Sequence, residues 1–330
     1  TGAAVTGLAA AGALAGCSPK SAAAEADAAD GSTKPEHRWQ SQAAADWRTP
    51  PEPVDDAKIT DGGTFDVVVV GGGQAGTWTA RSAAMNGASV CVVEAQPEDS
   101  FFYIGGEVAI ANSEWALERG ADRIDKAEFM TGWLVRNANR SNQRLIRNFV
   151  DYSGQIMDWS ISEINEVDPD FYSNTDRVNL YSAESDDRMV MDPSGYQFYK
   201  STIVHRPVTG GGADWEWGTV VMTHHREKAI EEGATWNFNT YAEYLEKDDS
   251  GRVVAVVARK QDDDSYVRYT GTRGVVLTAG DFQANVDMIR DINDEYRHLA
   301  ENYGNIELAT SGGMGVKDGA GIKLGVWAGG

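Results

Sequence analysis

Four consecutive valines that run into three glycines are the feature that most constrains this chain. The valines occupy residues 67–70, the glycines occupy residues 71–73, and a fourth glycine, Gly76, follows three positions later. An uninterrupted run of β-branched residues predicts a strand that is buried on both faces, as in a parallel sheet. Glycines directly after such a strand let the backbone approach a ligand closely. The stretch therefore predicts a ligand-binding turn at the edge of an α/β sheet.

The glycines of this turn have separate predicted roles. Gly71 permits the tight turn, Gly73 lets backbone N–H groups approach a diphosphate, and Gly76 lets the following helix pack against the strand. That helix is predicted for the stretch QAGTWTARSAAMNG, with a stop signal at Asn86 and Gly87.

A second strand is predicted for ASVCVVEA, which places Glu94 at its carboxyl end. There the carboxylate can accept hydrogen bonds from the ribose hydroxyls of an adenosine. Strand, helix, strand and acid together predict a site for a dinucleotide that contains ADP, and this pattern leaves FAD and NAD open because both contain ADP. The binding residues predicted in this unit are Gly71, Gly72, Gly73, Gln74, Ala75, Gly76, Glu94 and Ala95.

Charge and cysteine content exclude several classes of partner. The 330 residues include 50 acidic and 29 basic side chains, a net charge of −21, so the surface would repel nucleic acid and anionic lipid headgroups. Cys17 and Cys91 are too few for a disulfide framework or a cysteine-ligated metal cluster. His224 and His225 are adjacent on a predicted helix and project about 100° apart, which does not suit one metal ion. We expect no metal site.

The first 63 residues predict an export signal followed by a linker. Residues 1–17 form a weakly apolar, uncharged run that ends in Leu-Ala-Gly-Cys and resembles a bacterial lipoprotein signal, with Cys17 as the lipidated residue. Such a mild apolar region suits twin-arginine (Tat) export, and the alternative is an ordinary Ala-rich segment. Residues 18–63 lack an apolar period and predict a flexible linker, along which Trp39 and Trp47 dock locally. The folded domain is expected at residues 64–330, in the cell envelope: lipid-anchored on the outer face of the cytoplasmic membrane, or periplasmic.

From Phe65 to Gly330 the sequence resembles the FAD-binding part of the fumarate reductase and succinate dehydrogenase flavoprotein family, in particular soluble exported members related to flavocytochrome c. Besides the opening stretch, the phrases that carry the resemblance are YIGGEVAIAN, REKAIEEGATWNFNTYAEYLEKDDSGRVVAVVARK, RGVVLTAGDFQAN and KDGAGIKLGVWAGG. The resemblance implies FAD as the cofactor. It also implies an α/β, Rossmann-like FAD-binding domain of the glutathione-reductase type, with added helical and β-hairpin segments.

The same resemblance implies FAD contacts beyond the opening unit. Gly105 and Gly106 take the place of a glycine pair that contacts the flavin diphosphate and ring, and Ala242 takes the place of a strand residue whose backbone contacts adenine. The remaining implied contacts are Ala279, Gly280, Asp281 and Gly321.

Two positions depart from the family pattern. Asp281 replaces a glycine, and Ala320 stands where the family has an acid, with Asp318 two residues earlier. Because a carboxylate beside a diphosphate is repelled, we expect Asp281 to point away from it or to mark a shifted loop.

The middle of the chain predicts helices and a glycine loop. Residues 121–166 show helical apolar spacing, which predicts that this set packs in the core: Leu145, Phe149, Tyr152, Ile156 and Trp159. The phrase HRPVTGGGADWEWG precedes a helix predicted to begin near Thr219, and a helix N-terminus there would favour an anion. His205 and Arg206 are therefore weak candidates for a catalytic role, and the alternative is a simple loop.

The resemblance implies an enzyme that transfers hydride from flavin N5 to the C=C bond of a small unsaturated carboxylate such as fumarate. Related members act on urocanate, aspartate or 3-ketosteroids, and an external haem or FMN carrier would supply the electrons. The family's catalytic residues follow the phrase that ends this chain, so they and the cap domain are expected beyond Gly330, and the 330-residue chain alone is expected to be inactive. Two alternatives are a lipid-anchored solute-binding protein without redox chemistry and an NAD-dependent dehydrogenase.

Overall fold

A computed structural model describes residues 46–103, 108–167, 178–179, 202–204, 217–282, 285–293, 297 and 318–330. The strands within these residues are β1 (Ile59–Val70), β2 (Val90–Val93), β3 (Val108–Ile110), β4 (Val178–Asn179), β5 (Thr202–Val204), β6 (Thr235–Asn237), β7 (Thr240–Lys247), β8 (Val253–Lys260) and β9 (Tyr266–Leu277). The helices are α1 (Gln74–Met85), α2 (Glu114–Glu118), α3 (Lys126–Arg136), α4 (Gln143–Val167), α5 (Thr223–Glu231), α6 (Val286–Ile292) and α7 (Ala320–Trp327), with a π-helical turn at Trp217–Met222.

The main sheet has six strands in the order β6-β2-β1-β9-β8-β7. Strands β6, β2, β1 and β9 are parallel to one another. Strands β8 and β7 continue the sheet beside β9 as antiparallel strands. The valine run lies at its centre, where Val68 and Val69 have no exposed surface. Burial on both faces explains the lack of alternation along this strand. The predicted α/β Rossmann-like fold is confirmed.

Helix α1 covers one face of the parallel strands. Ala80 and Ala84 pack with Val69, Val90 and Val92 in one buried cluster. The helix ends at Met85, next to the predicted stop signal. Small side chains along α1 thus allow it to lie close to the sheet.

The hairpins and α7 complete the opposite face. Val68 and Val70, which alternate with Val69 along β1, pack with Val256, Ala258 and Leu324. Short acidic turns, at residues 248–252 and 261–265, connect β7 to β8 and β8 to β9. The sheet therefore has a packed layer on each side and its strand ends free to form a site.

The predicted linker is wrong at its carboxyl end. Strand β1 begins at Ile59, which pairs with Tyr266, so the strand starts before the predicted domain boundary at residue 64. Trp47 is only 8% exposed, its indole N–H donates to Asp291 over 2.7 Å, and its carbonyl accepts from the indole of Trp327 over 2.9 Å. Burial of this tryptophan fixes residues 46–58 to the domain, which confirms the local docking predicted for it. Residues 1–45, with Cys17 and Trp39, lie outside the described residues.

Helix α4 buries a different face from the one predicted. Leu145, Tyr152 and Ile156 are 67%, 53% and 49% exposed, so the prediction that they pack in the core is wrong. The buried positions of α4 are Ile146, Val150, Met157, Ile161 and Ile164. Neighbouring positions on a helix differ by about 100°, and α4 carries apolar residues on two adjacent faces, so spacing alone did not identify the buried one.

A buried polar cluster joins α1, α4 and α5. Arg81 is paired with Glu163 over 3.0 Å and also with Glu232. His225 has no exposed surface, and its Nε2 lies 3.2 Å from the hydroxyl of Ser160. Burial and the neighbouring His224 lower the pKa of His225 to about 4. Among the described residues, no group of three or more His, Cys, Asp or Glu could hold a metal ion, and no helix is long and apolar enough to cross a membrane.

Candidate functional site

A pocket of about 280 Å³ lies at the carboxyl ends of β1, β2 and β9. This edge is where open parallel sheets bind their ligands. The lining residues are Val70, Gly71, Gly73, Gln74, Ala75, Val93, Glu94, Ala95, Gln96, Phe102, Thr240, Tyr241, Ala242, Thr278, Ala279, Gly280, Asp281, Asp318 and Ala320.

Hydrogen bonds between the strand ends fix the floor of the pocket. The Gly71 N–H donates to the carbonyl of Val93 over 2.8 Å. The Thr278 hydroxyl lies 2.9 and 2.7 Å from the carbonyl oxygens of Val70 and Gly71 and can donate its hydrogen to either. Gly71 adopts a φ of +96°, a conformation that glycine allows and other residues rarely adopt. The turn after β1 is therefore held by both neighbouring strands.

Gly73 leaves open space where the pocket meets α1. It caps the N-terminus of this helix, and a Cβ built on it would have no protein atom within 4 Å. Helix N-termini present unpaired N–H groups and a partial positive charge, both of which favour phosphate. The cradle thus fits a diphosphate, and a side chain at this position would occupy the same space.

Glu94 supplies a buried acceptor beside this cradle. It is 5% exposed, and its two carboxylate oxygens accept from the N–H groups of Gly72 over 2.6 Å and of Gln96 over 2.7 Å. Burial raises the pKa of Glu94, although these hydrogen bonds act in the opposite direction. Each carboxylate oxygen can accept a second hydrogen bond, so the group can still receive ribose hydroxyls.

Asp318, the acid that lies two residues before the position where the family has one, is held within the wall of the pocket. The Asp318 carboxylate accepts from the Tyr241 hydroxyl over 2.6 Å, from the Lys323 ammonium over 2.8 Å and from the N–H of Ala320 over 3.0 Å. Asp318 and Lys323 are both buried, so each compensates the charge of the other. Asp318 therefore anchors the start of α7 against β7.

The structure brings most of the predicted FAD contacts together around this pocket. The predicted residues on its wall are Gly71, Gly73, Gln74, Ala75, Glu94, Ala95, Ala242, Ala279, Gly280 and Asp281. Behind the wall lie Gly72, whose Cβ would meet the Trp236 indole at 2.7 Å, and Gly76, whose Cβ would meet the Gly71 carbonyl at 1.9 Å. Gly321 also lies behind the wall, and a Cβ built on it would lie 3.5 Å from the Cβ of Ala279. Contact of each residue with FAD stays a prediction.

The structure describes only some of the other predicted positions. Asp281 is on the pocket wall, and its carbonyl accepts from the N–H of Gly319 over 3.0 Å, which joins two of the loops. The placement of its carboxylate relative to a diphosphate stays a prediction. The positions that lie outside the described residues are Gly105, Gly106, His205, Arg206 and Cys17.

Nine residues of the wall were not among the predicted cofactor contacts. They are Val70, Val93, Gln96, Phe102, Thr240, Tyr241, Thr278, Asp318 and Ala320. Gln96 follows Glu94 by two positions, and Thr240 and Tyr241 directly precede Ala242, so closeness to predicted contacts was the available signal. Phe102 reaches the pocket through the fold of the segment after β2, which no local pattern indicates.

Comparison with known proteins agrees with this geometry. Residues 66–330 match the family described as FAD binding domain. The chain is 25% identical over 267 residues to the fumarate reductase (cytochrome) of Shewanella frigidimarina, a match that covers 79% of this chain and 40% of the relative. A shorter match, 34% identical over 97 residues, joins 29% of this chain to 10% of the NADH:fumarate oxidoreductase of Klebsiella pneumoniae. The chain thus spans about 40% of the length of the first of these curated relatives.

Solved structures show the same fold. The 3-ketosteroid-Δ4-(5α)-dehydrogenase of Rhodococcus jostii superposes with a TM-score of 0.59 at 22% identity, over 84% of this chain and 56% of that one. A flavocytochrome c3 fumarate reductase in an open conformation superposes with a TM-score of 0.57 at 20% identity, over 87% and 44%.

The family match covers most of the chain and includes the glycine turn, Glu94 and the strand that precedes Gly280. The open cradle at Gly73 and the buried acceptor at Glu94 fit the diphosphate and ribose of FAD. The chain belongs to the FAD binding domain family, and its cofactor is FAD, as the sequence resemblance implied.

Proposed function

We propose that this chain is the FAD-carrying part of a flavoprotein oxidoreductase that reduces the C=C bond of a small unsaturated carboxylate such as fumarate. The observation that supports this most is the pocket at the sheet edge, with open space at Gly73 and the Glu94 carboxylate beside it. The similarity to fumarate reductases supports this reaction class. Bound FAD supplies hydride transfer at its isoalloxazine ring.

The residues of this chain would bind and orient the cofactor. The turn of residues 71–73 and the N-terminus of α1 would hold the diphosphate, and Glu94 would hold the ribose. The backbone of β7 at Ala242 would hold the adenine. Fixing one end of the cofactor at several points restricts the orientation of the other end, which a hydride transfer requires.

Substrate binding would need positive charge, because a dicarboxylate carries two negative charges. His205 and Arg206 are the candidates in this chain. The chain spans about 40% of the length of the first curated relative, and we place the remaining substrate-binding and proton-donating groups outside these 330 residues. An external haem or FMN carrier would deliver the electrons, and export with lipidation at Cys17 would place the protein in the cell envelope.

Anaerobic reoxidation of the reduced flavin tests the substrate. The full-length protein that contains this chain is purified with its flavin and photoreduced. It is then mixed with fumarate, urocanate or a 3-keto-Δ4-steroid. We expect fumarate, or another small unsaturated acid, to restore the oxidised flavin spectrum. Rapid reoxidation by the steroid alone would replace the proposal with a steroid reductase.

The 330-residue chain serves as the matched sample. It should purify yellow with FAD bound, and its reduced flavin should not be reoxidised by any of the three compounds. Reoxidation by fumarate in this chain would show that the catalytic groups lie before Gly330. A folded, colourless chain would favour the solute-binding alternative, and heat protection by a nicotinamide dinucleotide, without protection by FAD, would favour the dehydrogenase.

A further inference from the structure

Gln96 makes an unusual set of contacts on the wall of the FAD pocket. It lies two residues after Glu94 and is 9% exposed. Its side-chain amide pairs with the backbone of Phe102 in both directions: Nε2 donates to the Phe102 carbonyl over 3.3 Å, and Oε1 accepts from the Phe102 N–H over 3.4 Å. Gln96 therefore connects the end of β2 to a residue six positions later.

The backbone of Gln96 is fixed as firmly as its side chain. Its N–H donates to the Glu94 carboxylate over 2.7 Å, and its carbonyl accepts from the N–H of Asn239 over 2.9 Å. The peptide group between Ala95 and Gln96 is held at its carbonyl too, because the Gln261 amide donates to the carbonyl of Ala95 over 2.6 Å. Residues 94–96 are thus bonded to the β6–β7 connection and to the β8–β9 turn.

Phe102 lies on the pocket wall next to Glu94, Ala95 and Gln96. Its neighbour Phe101 packs edge-on against Phe238, with ring centroids 5.3 Å apart, which holds the same segment from behind. No regular strand or helix contains Phe102, so the Gln96 amide takes the place of the ladder hydrogen bonds that a strand would provide.

We propose that Gln96 is a positioning residue that fixes Phe102 as the wall of the adenosine end of the pocket and thereby favours FAD over FMN. The inference rests on the proposed placement of the ribose at Glu94, since this is what makes the Gln96 end the adenosine end. FMN lacks the adenosine, whereas ADP contains it. A defect in this wall therefore weakens the binding of FAD and of ADP together and leaves the binding of FMN unchanged.

Cofactor exchange on the holoprotein measures this selectivity. The protein with bound FAD is equilibrated with FMN or with ADP, and the FAD released into the filtrate is quantified by chromatography. The variant Gln96→Met keeps the length of the side chain and removes its amide. We expect the equilibrium for exchange of FAD by FMN to shift about tenfold toward FMN, the scale of one or two lost hydrogen bonds. Exchange of FAD by ADP should stay within about twofold of the unmodified protein because both ligands use the same wall.

A purely structural role for Gln96 gives a different result, since a general loss of stability weakens all three ligands and changes neither exchange equilibrium. An unchanged equilibrium for exchange of FAD by FMN in Gln96→Met would therefore overturn the inference. A shift of equal size in the exchange of FAD by FMN and by ADP would overturn it as well. Gln155→Met is the control, because Gln155 is exposed on α4 and should leave both equilibria unchanged.

Two further variants keep the outcome interpretable. If Gln96→Met does not fold, Phe102→Ala keeps the Gln96 contacts with the backbone and removes the ring, and it should shift FMN exchange in the same direction. No shift in that variant would also overturn the inference. Glu94→Gln tests the placement of the ribose: if it does not favour FMN, that placement is wrong, whereas a shift with Glu94→Gln and none with Gln96→Met rejects only the role of Gln96.

Discussion

Gly73 directly precedes α1 and Gly76 lies near the start of that helix, and the two positions are glycines for different reasons. A side chain at Gly76 would collide with the Gly71 carbonyl, so this glycine is needed by the fold itself. A side chain at Gly73 would meet no protein atom and would project into space that the diphosphate is expected to fill. The two positions therefore separate the stability of the turn from cofactor binding.

The variant Gly73→Val should fold and lose its FAD. We expect its apoprotein to unfold at a urea midpoint close to that of the unmodified apoprotein, while its flavin content after purification falls to a small fraction. Gly132→Val is the control, because Gly132 also has open space around its Cβ and lies in α3 outside the pocket. Normal flavin content in Gly73→Val would show that the diphosphate does not lie at this turn.

We expect FAD binding to depend on pH through Glu94. In the proposed placement the ribose hydroxyls donate to the ionised carboxylate, and burial raises the pKa of Glu94, so protonation removes this acceptor at a higher pH than for an exposed glutamate. The affinity for FAD should therefore decrease as the pH falls toward the range in which Glu94 binds its proton. Titrations of flavin fluorescence give the dissociation constant at each pH. Glu94→Gln should bind more weakly and lose this part of the pH dependence, and an identical pH profile in the two proteins would contradict the role of Glu94.

At the scale of elements, neighbouring residues of α4 have opposite environments. Ile146 is 6% exposed and Leu145 is 67% exposed. We expect Ile146→Ala to lower the free energy of unfolding by about 2–4 kcal/mol, because it leaves a cavity, and Leu145→Ala to change it by less than about 0.5 kcal/mol. Urea unfolding of both variants measures the difference. Equal losses would mean that α4 buries the face that the sequence spacing indicated.

The contact between α1, α4 and α5 should also respond to pH. His225 is buried between Trp78 and Trp159, with ring centroids 4.5 and 5.1 Å away, and its pKa is lowered to about 4. The native state therefore binds this proton less readily than the unfolded chain. The stability from neutral His225 is complete above about pH 6.5 and is lost as the pH falls toward about 4, by at most about 3 kcal/mol.

The variant His225→Phe tests this dependence, since it keeps a ring among the tryptophans and removes the titrating group. The decrease in unfolding free energy between about pH 7 and about pH 5 should be smaller in His225→Phe than in the unmodified protein. A decrease of the same size would exclude His225 as the titrating group.

Sequence patterns identified the elements wherever one local rule determined them. The valine run of β1, the glycine turn, the helix that ends before Asn86 and Gly87, and Glu94 at the end of β2 all follow from local chemistry, and the structure has them as predicted. The buried face of α4 and the packing of Trp47 against Asp291 depend on distant partners. Neither the spacing of Leu145 and Tyr152 nor the polar composition around Trp47 contains that information.

For the whole molecule, the α/β fold and the cofactor could be predicted from the sequence, whereas several residues of the pocket wall could not. Tyr241 on β7 and Asp318, which lies just before α7, are 77 positions apart in the sequence and are joined by a hydrogen bond. The six-stranded sheet brings them together because β1, β2 and β9 end at one edge and α7 begins beside it. Topology therefore determined which of the many acidic side chains of this chain reached the pocket.

A crystal structure of the chain with FAD bound tests the central claim most directly. The claim is that the cofactor lies at the carboxyl ends of β1, β2 and β9. The diphosphate should lie against Gly73 at the start of α1, with a ribose hydroxyl at a hydrogen-bond distance of about 2.6–3.2 Å from the Glu94 carboxylate. A cofactor bound elsewhere, or a Glu94 carboxylate turned away from the ribose, would contradict the account.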